Sequence, residues 1–120
     1  MSFQEQLKKM AEKIDDFSGV AIADMDGIII EEYKVDPSFD LSLLVAEYGT
    51  FWSSADKASV SSDMGAVCEL CMLTEKATIV LRKVSRDYFL LLVISAEKSF
   101  GKSRFYARMV ADSLEEEIGV

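Results

Sequence analysis

The 120-residue sequence predicts one α+β domain in which helices cover an antiparallel sheet. Three observations lead to this class. The residues Tyr88–Ile94 are all apolar or aromatic, which is typical of a strand buried on both faces at the centre of a sheet. The dipeptide Asp26-Gly27 joins two short runs of β-forming residues, as a hairpin turn does. The apolar residues near both ends of the chain recur with helical spacing.

The composition favours an acidic, protein-binding chain. The 21 acidic residues outnumber the 13 basic ones, and the resulting net charge of −8 opposes binding to nucleic acid or to an anionic membrane. No stretch approaches the roughly 20 apolar residues of a membrane span, and the N-terminus lacks the apolar core of a signal peptide, so we expect a soluble cytoplasmic chain. The mean hydropathy is +0.15, so we expect oligomerisation to cover apolar surface.

The sequence contains no histidine, which lowers the expectation of an enzyme. Without imidazole the chain lacks the usual general base, the histidine metal ligands and every Ser-His or Cys-His nucleophile pair. We therefore expect no catalytic residue, no cofactor and no metal.

The first helix and the hairpin are predicted from short local patterns. The helix begins at about residue 3, because apolar residues recur at alternating steps of four and three. The hairpin strands are predicted over residues 19–24 and 28–33. The apolar stripe of the helix is Phe3, Leu7, Met10, Ile14 and Phe17.

A long helix is predicted between Asp36-Pro37, an N-cap followed by proline at the first helical position, and Gly65, a C-terminal stop. Its apolar residues occupy two sides, so one side can cover the sheet while the other needs a partner. An ordinary core helix of a monomer is the alternative. Gly49 in the helix interior is consistent with a close approach between two helices. The main stripe is Leu41, Leu44, Val45, Tyr48, Phe51 or Trp52, and Ala55, and the second is Phe39, Leu43 and Ala46.

Residues 66–73 and 77–84 have the pattern of two strands that form an antiparallel meander with the central strand. Cys68 and Cys71 are three residues apart, hence on opposite faces of the first of these strands. We expect free, structural thiols, with a zinc shared across a dimer as the alternative. The last helix carries a core-facing stripe and ends in acidic residues that oppose its dipole, which a basic partner surface or simple solvation would explain. These residues are Phe100, Ala107, Val110, Ala111, Leu114 and Ile118 in the stripe, and Glu115, Glu116 and Glu117 at the end.

Two motifs raise enzymatic alternatives. Residues 96–103, AEKSFGKS, match a relaxed phosphate-loop pattern in which Lys102 and Ser103 would contact a nucleotide. This loop begins with alanine, however, and no later strand could supply the Mg²⁺-binding aspartate. The run DMDG resembles the first motif of haloacid-dehalogenase-type phosphatases, with Asp24 as nucleophile and Asp26 as general acid, but no convincing acidic pair follows it. A Ca²⁺ loop would lack its oxygen ligands beyond Gly27.

With this order of elements, the chain resembles the Roadblock/dynein light-chain family, in particular its small bacterial and archaeal members of the MglB type. The resemblance spans nearly the whole chain. It rests on the run GVAIADMDGI at residues 19–28, which contains Asp26 and Gly27, and on the opening of the last helix. There Gly101 and Arg104 match the Gly-x-x-Arg that is common in the family.

The resemblance implies a profilin-like sheet of five antiparallel strands, with the two terminal helices on one face and the long helix on the other. It also implies a homodimer in which the long helices pack together and the third strands, about residues 66–73, pair edge to edge. The implied interface residues are Leu44, Tyr48, Phe51, Trp52, Ala55, Val67, Glu69 and Cys71.

Members of this family commonly bind and regulate Ras-like small GTPases without catalysing a reaction themselves. The resemblance therefore implies a non-enzymatic homodimeric adaptor of a Ras-like small GTPase, and stimulation of GTP hydrolysis is the more specific form of this expectation. Stimulation would come from ordering the GTPase's own catalytic residues or from an inserted arginine. The alternatives are an enzyme acting through one of the two motifs, or a ligand sensor with an enclosed apolar pocket. The available arginines are Arg82, Arg86, Arg104 and Arg108.

Overall fold

A computed structural model describes residues 2–95 and 100–118, with the backbone alone at residue 100. The elements follow the predicted order of helix, two strands, long helix, three strands and helix. Their bounds are α1 Phe3–Lys13, β1 Phe17–Asp24, β2 Ile29–Lys34, α2 Leu41–Ser61, β3 Glu69–Leu73, β4 Thr78–Lys83, β5 Tyr88–Ile94 and α3 Phe100–Ile118.

The five strands form one antiparallel sheet in the order β2-β1-β5-β4-β3. The apolar run Tyr88–Ile94 is the central strand, as predicted, and it is paired on both sides along its whole length. Phe89, Leu91 and Val93 point to one face of this strand, while the residues between them point to the other. The sheet therefore separates two apolar cores.

The helices cover the two faces in the predicted arrangement, which confirms the α+β, profilin-like fold. Residues of α1 and α3, including Leu7 and Leu114, pack on one face against Leu90 and Leu92. Residues of α2, including Val45 and Trp52, pack on the other face against Phe89. Because α2 lies over β1 and β2, it leaves the β4 and β3 side of its own face only partly covered.

The first helix is shorter than predicted. It ends at Lys13, and Ile14 is its C-cap, so the predicted stripe from residue 3 to residue 17 includes two residues that lie beyond the helix. Asp16 takes a positive φ of 60° and turns the chain. Phe17 then begins β1, and both Ile14 and Phe17 still reach the same core.

The hairpin turn places one residue, rather than two, at positive φ. Gly27 has a φ of 87°, whereas Asp26 has a negative φ, which differs from a two-residue turn that needs positive φ at both positions. The backbone amide of Gly27 donates to the carbonyl of Asp24, and the Asp24 carboxylate accepts from the amides of Asp26 and Ile28 at 3.0 Å each. The loop is thus a turn followed by a left-handed glycine.

The predicted start of the long helix at Asp36-Pro37 is wrong. The helix begins at Leu41, and Asp40 is its N-cap, with a carboxylate oxygen 3.0 Å from the amide nitrogen of Leu43. Asp36 instead closes a separate turn by accepting from the amide and the hydroxyl of Ser38. These two hydrogen bonds lower the pKa of Asp36, the backbone bond being the larger cause.

The long helix also ends before the predicted stop at Gly65. Its last residue is Ser61, and the left-handed position after the C-cap is taken by Asp63, with a φ of 63°. The amide of Met64 donates to the carbonyl of Ser59 and that of Asp63 to the carbonyl of Val60, which is the Schellman arrangement. Gly65 follows it with a φ of 84°.

The last helix begins earlier than the phosphate-loop interpretation requires. Residues 96–99 of the predicted loop lie outside the described residues, whereas Lys102 and Ser103 belong to α3. Gly101 lies in the first turn of this helix without a positive φ, so it does not act as the predicted turn residue. Arg104 is likewise inside the helix rather than at its start.

Candidate functional site: the α2 and β3 surface

The long helix has two apolar sides, as the sequence predicts. Its inner side, which includes Val45 and Trp52, is buried against the sheet. Its outer side exposes Leu43 at 57% and Phe51 at 51% of their surface, values that are high for large apolar side chains. Leu44 lies half-buried between the two sides. These apolar side chains, with Glu47 beside them, are therefore available for contact with another protein.

A groove separates α2 from the β3 and β4 side of the sheet. It has a volume of about 110 Å³, and Ile79 and Leu81 of β4 are buried beneath it. Leu70 and Met72 of β3 line it because alternate residues of a strand share a face. A wider open cleft continues along the outer side of α2. The groove is lined by Tyr48, Phe51, Leu70, Cys71, Met72, Ile79 and Leu81.

The interface residues predicted on β3 are Glu69 and Cys71, and they stay a prediction. The side chains of Glu69 and Cys71 point to the α3 face, although Cys71 also lines the groove, whereas Leu70 and Met72 lie on the α2 face beside it. Strict alternation along β3 would have identified Leu70 and Met72 from the sequence once the α2 face was known. Glu69 and Cys71 remain candidates for contact with a second copy of the chain through their backbone groups.

The backbone of β3 has a free edge. The amide of Lys83 donates to the carbonyl of Cys68, and that of Thr74 donates to the carbonyl of Ala77, so the even-numbered positions bond to β4. The N–H and C=O groups of Glu69, Cys71 and Leu73 therefore point away from the sheet. Within the described ranges, β3 pairs with β4 alone. Such an edge is a template for pairing with another strand.

Two arginines hold the Glu69 side chain. Its Oε2 accepts from Arg104 Nε of α3 at 2.7 Å, and its Oε1 lies 3.7 Å from a terminal guanidinium nitrogen of Arg82. The hydrogen bond from Arg104 to Glu69, followed by their charge interaction, raises the pKa of Arg104. Arg104 thus ties the last helix to the edge strand.

Both cysteines are free and exposed, in agreement with the expectation of unpaired thiols. Cys68 lies just before β3 rather than within it. The Cys71 sulfur lies 3.6 Å from Glu69 Oε2. Partial burial of the Cys71 thiol, followed by the nearby Glu69 carboxylate, raises its pKa, so less thiolate forms at neutral pH.

The remaining predicted interface residues lie at different depths. Trp52 is 3% exposed, and its ring stacks on Phe89 with a centroid separation of 6.2 Å, so it supports the surface from within the protomer. Ala55 and Val67 are half-buried. The amide of Val67 donates to the Asp56 carboxylate at 2.8 Å, which fastens the segment before β3 to α2.

The described residues that would act in the two enzymatic motifs are Asp24, Asp26, Lys102 and Ser103. The Asp24 carboxylate is occupied by the hairpin turn, and Asp26 is exposed next to it. Lys102 is exposed, whereas Ser103 is fully buried in α3, where its hydroxyl has no hydrogen-bond partner among the described residues. Across residues 2–95 and 100–118, no three Asp, Glu or Cys side chains converge in a way that could hold a metal ion.

No described helix combines the length and the apolarity that crossing a membrane requires. Among the described residues, the clefts on the two faces of the sheet open to solvent.

These elements and their order define a Roadblock-type fold. The Roadblock/LC7 domain from Streptomyces avermitilis superposes on the chain with a TM-score of 0.87, at 12% identity over 98% of each chain. MglB from Myxococcus xanthus has a TM-score of 0.86 at 12% identity, over 97% of this chain and 94% of its own. No protein-family model matches the sequence, and no curated protein matches it.

MglC from Myxococcus xanthus shares more sequence with the chain but superposes less closely. It is 29% identical over 98% of this chain and 99% of its own, with a TM-score of 0.69. These structures confirm the predicted resemblance to the Roadblock fold, although their sequences differ widely from that of this chain.

Proposed function

We propose that this chain is a non-enzymatic, cytoplasmic adaptor that forms a homodimer and binds a Ras-like small GTPase, whose GTP hydrolysis it stimulates. The observation that carries the proposal is the free edge of β3 next to the exposed outer side of α2. The Roadblock-type fold supports it, because the family that the sequence resembles commonly regulates such GTPases.

In the proposed dimer, β3 pairs with β3 of a second copy through the outward N–H and C=O groups of alternate residues. This pairing joins the two sheets into one and removes both exposed edges. The outer sides of the two α2 helices then pack together, which covers Leu43, Phe51 and the groove beside them. The dimer therefore buries the apolar surface that a monomer leaves in water.

The arginines differ in their freedom to act on a bound GTPase. Arg82 and Arg104 both contact Glu69, so either would have to leave an existing ion pair. Arg86 is 92% exposed, with Asp87 at the 4.0 Å limit of an ion pair, and Arg108 is exposed on α3. If an inserted arginine stimulates hydrolysis, we therefore propose Arg86 or Arg108. Otherwise, the dimer acts by ordering the GTPase's own residues.

The dimer is tested by light scattering on the purified chain. We expect twice the monomer mass of 13.4 kDa for the natural sequence and the monomer mass for Phe51→Glu, because this change places a charge in the proposed interface. Phe105→Glu is the matched control, since Phe105 is 61% exposed on α3, across the sheet from α2. A natural chain that remains monomeric at high micromolar concentration would refute the dimer.

The partner is tested with purified Ras-like GTPases from the same genome, loaded with GDP or with a non-hydrolysable GTP analogue. We expect one of them to form a complex in titration calorimetry, and we expect single-turnover GTP hydrolysis to accelerate when the dimer is added. The variants Arg86→Ala and Arg108→Ala distinguish the two mechanisms of stimulation. Loss of the accelerated hydrolysis in one variant indicates an inserted arginine, whereas unchanged acceleration in both indicates that the dimer orders the GTPase's own residues. Absence of any complex in either nucleotide state would contradict the proposal, and tight binding of free ATP or GTP to this chain would favour the enzymatic alternative.

A further inference from the structure

A second groove lies between α1 and α3, on the face of the sheet opposite α2. The two helices run antiparallel along it. At one end, the side-chain amide of Gln6 donates to Glu117 Oε1 at 2.7 Å, and at the other end Lys13 Nζ lies 5.7 Å from the centre of the Tyr106 ring. The groove has a volume of about 190 Å³. Its lining residues are Gln6, Lys9, Met10, Lys13, Tyr106, Met109, Val110 and Ser113.

The size and polarity of this groove suit an apolar side chain of a protein partner. Its volume is below the roughly 300 Å³ at which small-molecule pockets begin, whereas one large anchor residue can be buried in it. Its floor is apolar, since Met10 and Val110 belong to the core beneath it. Met109 is 45% exposed on its wall, and Phe105 extends the apolar surface outward. Methionine side chains adapt readily to different partners.

The charge at the rim is opposite to that of the whole chain. The protein carries a net charge of −8, yet Lys9 and Lys13 both line the groove. Neither lysine forms an ion pair with a carboxylate in the part of the chain that the structure describes. Lys102 lies one helical turn before Tyr106, near the same end as Lys13. These lysines would therefore attract a partner's carboxylates toward the Lys13 end of the groove, while Glu117 at the other end and the acidic remainder of the surface would repel them.

We propose that this groove binds an acidic amphipathic helix of a second protein. An apolar side chain of that helix enters between Met10 and Met109, and its carboxylates pair with Lys9 and Lys13. The helix then packs against α1 and α3 as a third helix, which is the usual mode of helix-in-groove recognition. Because α2 lies across the sheet, one protomer can hold this helix and the proposed α2 and β3 dimer contact at once. The inference does not depend on the proposed GTPase.

The probe is a fluorescein-labelled helical peptide of 18 residues with leucine at i, i+3, i+4 and i+7 positions and glutamate at the exposed ones, titrated by fluorescence anisotropy. We expect it to bind the natural chain, and we expect Lys9→Glu/Lys13→Glu to weaken binding at least tenfold. Lys57→Glu/Lys83→Glu is the matched control, because it makes the same change in net charge at a cleft on the α2 face. The control should bind as the natural chain does.

Two further measurements keep the proposal open to refutation. Lys9→Gln/Lys13→Gln avoids introducing negative charge and should still weaken binding, and circular dichroism shows whether each variant is folded. Amide chemical shifts on peptide addition should change on α1 and α3. The proposal is overturned if the peptide does not bind, or if a peptide with lysine in place of every glutamate binds equally well. It is also overturned if the Lys9→Glu/Lys13→Glu protein binds the peptide as the natural chain does, or if the chemical-shift changes lie on α2 and β3.

Discussion

At Gly49 the helix faces the protomer's own core rather than a second helix. A Cβ built at this position would lie 3.6 Å from Phe89 Cζ and 3.8 Å from Cε1, which is ordinary van der Waals contact. The sequence suggests a close helix-to-helix approach here, but Gly49 is buried against the sheet. The space is large enough for a methyl group, so glycine is not required by packing.

We therefore predict that Gly49→Ala raises the free energy of unfolding by about 0.5–1 kcal/mol, because alanine loses less backbone entropy in a helix. Gly65→Ala should have the opposite sign, since Gly65 has a φ of 84° that alanine adopts only with strain, although nothing lies within 4 Å of its Cβ position. Urea unfolding of both variants measures the difference. Equal effects would show that backbone conformation does not determine these two changes.

The environment of Cys71 predicts its reactivity. Burial and the Glu69 carboxylate raise the pKa of the thiol, and only the thiolate reacts with iodoacetamide. Glu69→Gln removes a negative charge 3.6 Å away and should lower this pKa, so alkylation at pH 8 becomes faster and its pH midpoint moves down. Mass spectrometry resolves the Cys71 and Cys68 peptides of the same sample. An unchanged midpoint at Cys71 would mean that burial alone controls the thiol.

At the scale of single elements, α2 shows how local signals compete. Asp36-Pro37 and Asp40-Leu41 both have a capping residue, but only the second leads directly into residues that reach the core, Leu41 and Val45. Residues before Asp40 are held in a turn instead. The amide of Phe39 donates to the carbonyl of Asp36, and Lys34 Nζ donates to the carbonyl of Phe39 at 2.7 Å. The lysine contact from β2 is therefore part of what delays the helix.

Asp40→Ala should lower the free energy of unfolding by about 1 kcal/mol, because the amide of Leu43 loses its capping oxygen. Asp36→Ala should have a smaller effect, since that carboxylate closes an exposed turn around Ser38. Thermal and urea unfolding of the two variants compare the caps directly. A larger loss for Asp36→Ala would indicate that the helix begins at the earlier position in solution.

At the scale of the whole molecule, the sheet separates two exposed apolar surfaces. One is the outer side of α2 with the free edge of β3, and the other is the groove between α1 and α3. Each of them borders a different apolar core. The proposed dimer contact and the proposed helix-binding groove therefore share no lining residue.

This separation predicts independent behaviour of the two surfaces. Phe51→Glu should abolish the dimer and leave the affinity of the acidic peptide within about twofold, because energetic effects of distant sites usually add. Raising the salt concentration should weaken peptide binding, which depends on exposed lysines, more than it weakens the apolar dimer. Anisotropy titrations of the natural and Phe51→Glu chains at two salt concentrations measure both effects. Loss of peptide binding in the monomeric variant would place the groove under the control of the dimer.

The periodicity of the sequence was sufficient for the order of the elements and for the central strand. Seven apolar residues at Tyr88–Ile94 leave little alternative to a strand buried on both faces, because only the middle of a sheet removes all of them from water. The helical spacing in α3 and the turn chemistry at Gly27 are similarly local. The bounds of α2 were less predictable, since each end of the helix offers two signals. Asp36 and Asp40 are both possible N-caps, and Asp63 and Gly65 both take a positive φ after the helix.

Long-range packing decided the rest. Whether the side chain of Leu70 or that of Glu69 points toward α2 depends on which face of the sheet α2 covers, and a strand's alternation cannot specify that alone. The contact of Arg104 with Glu69 joins residues that are 35 positions apart, and the pairing of Gln6 with Glu117 spans 111. The groove between α1 and α3 exists because the two ends of the chain return to the same face of the sheet. Its lysines become one binding surface only in that folded arrangement.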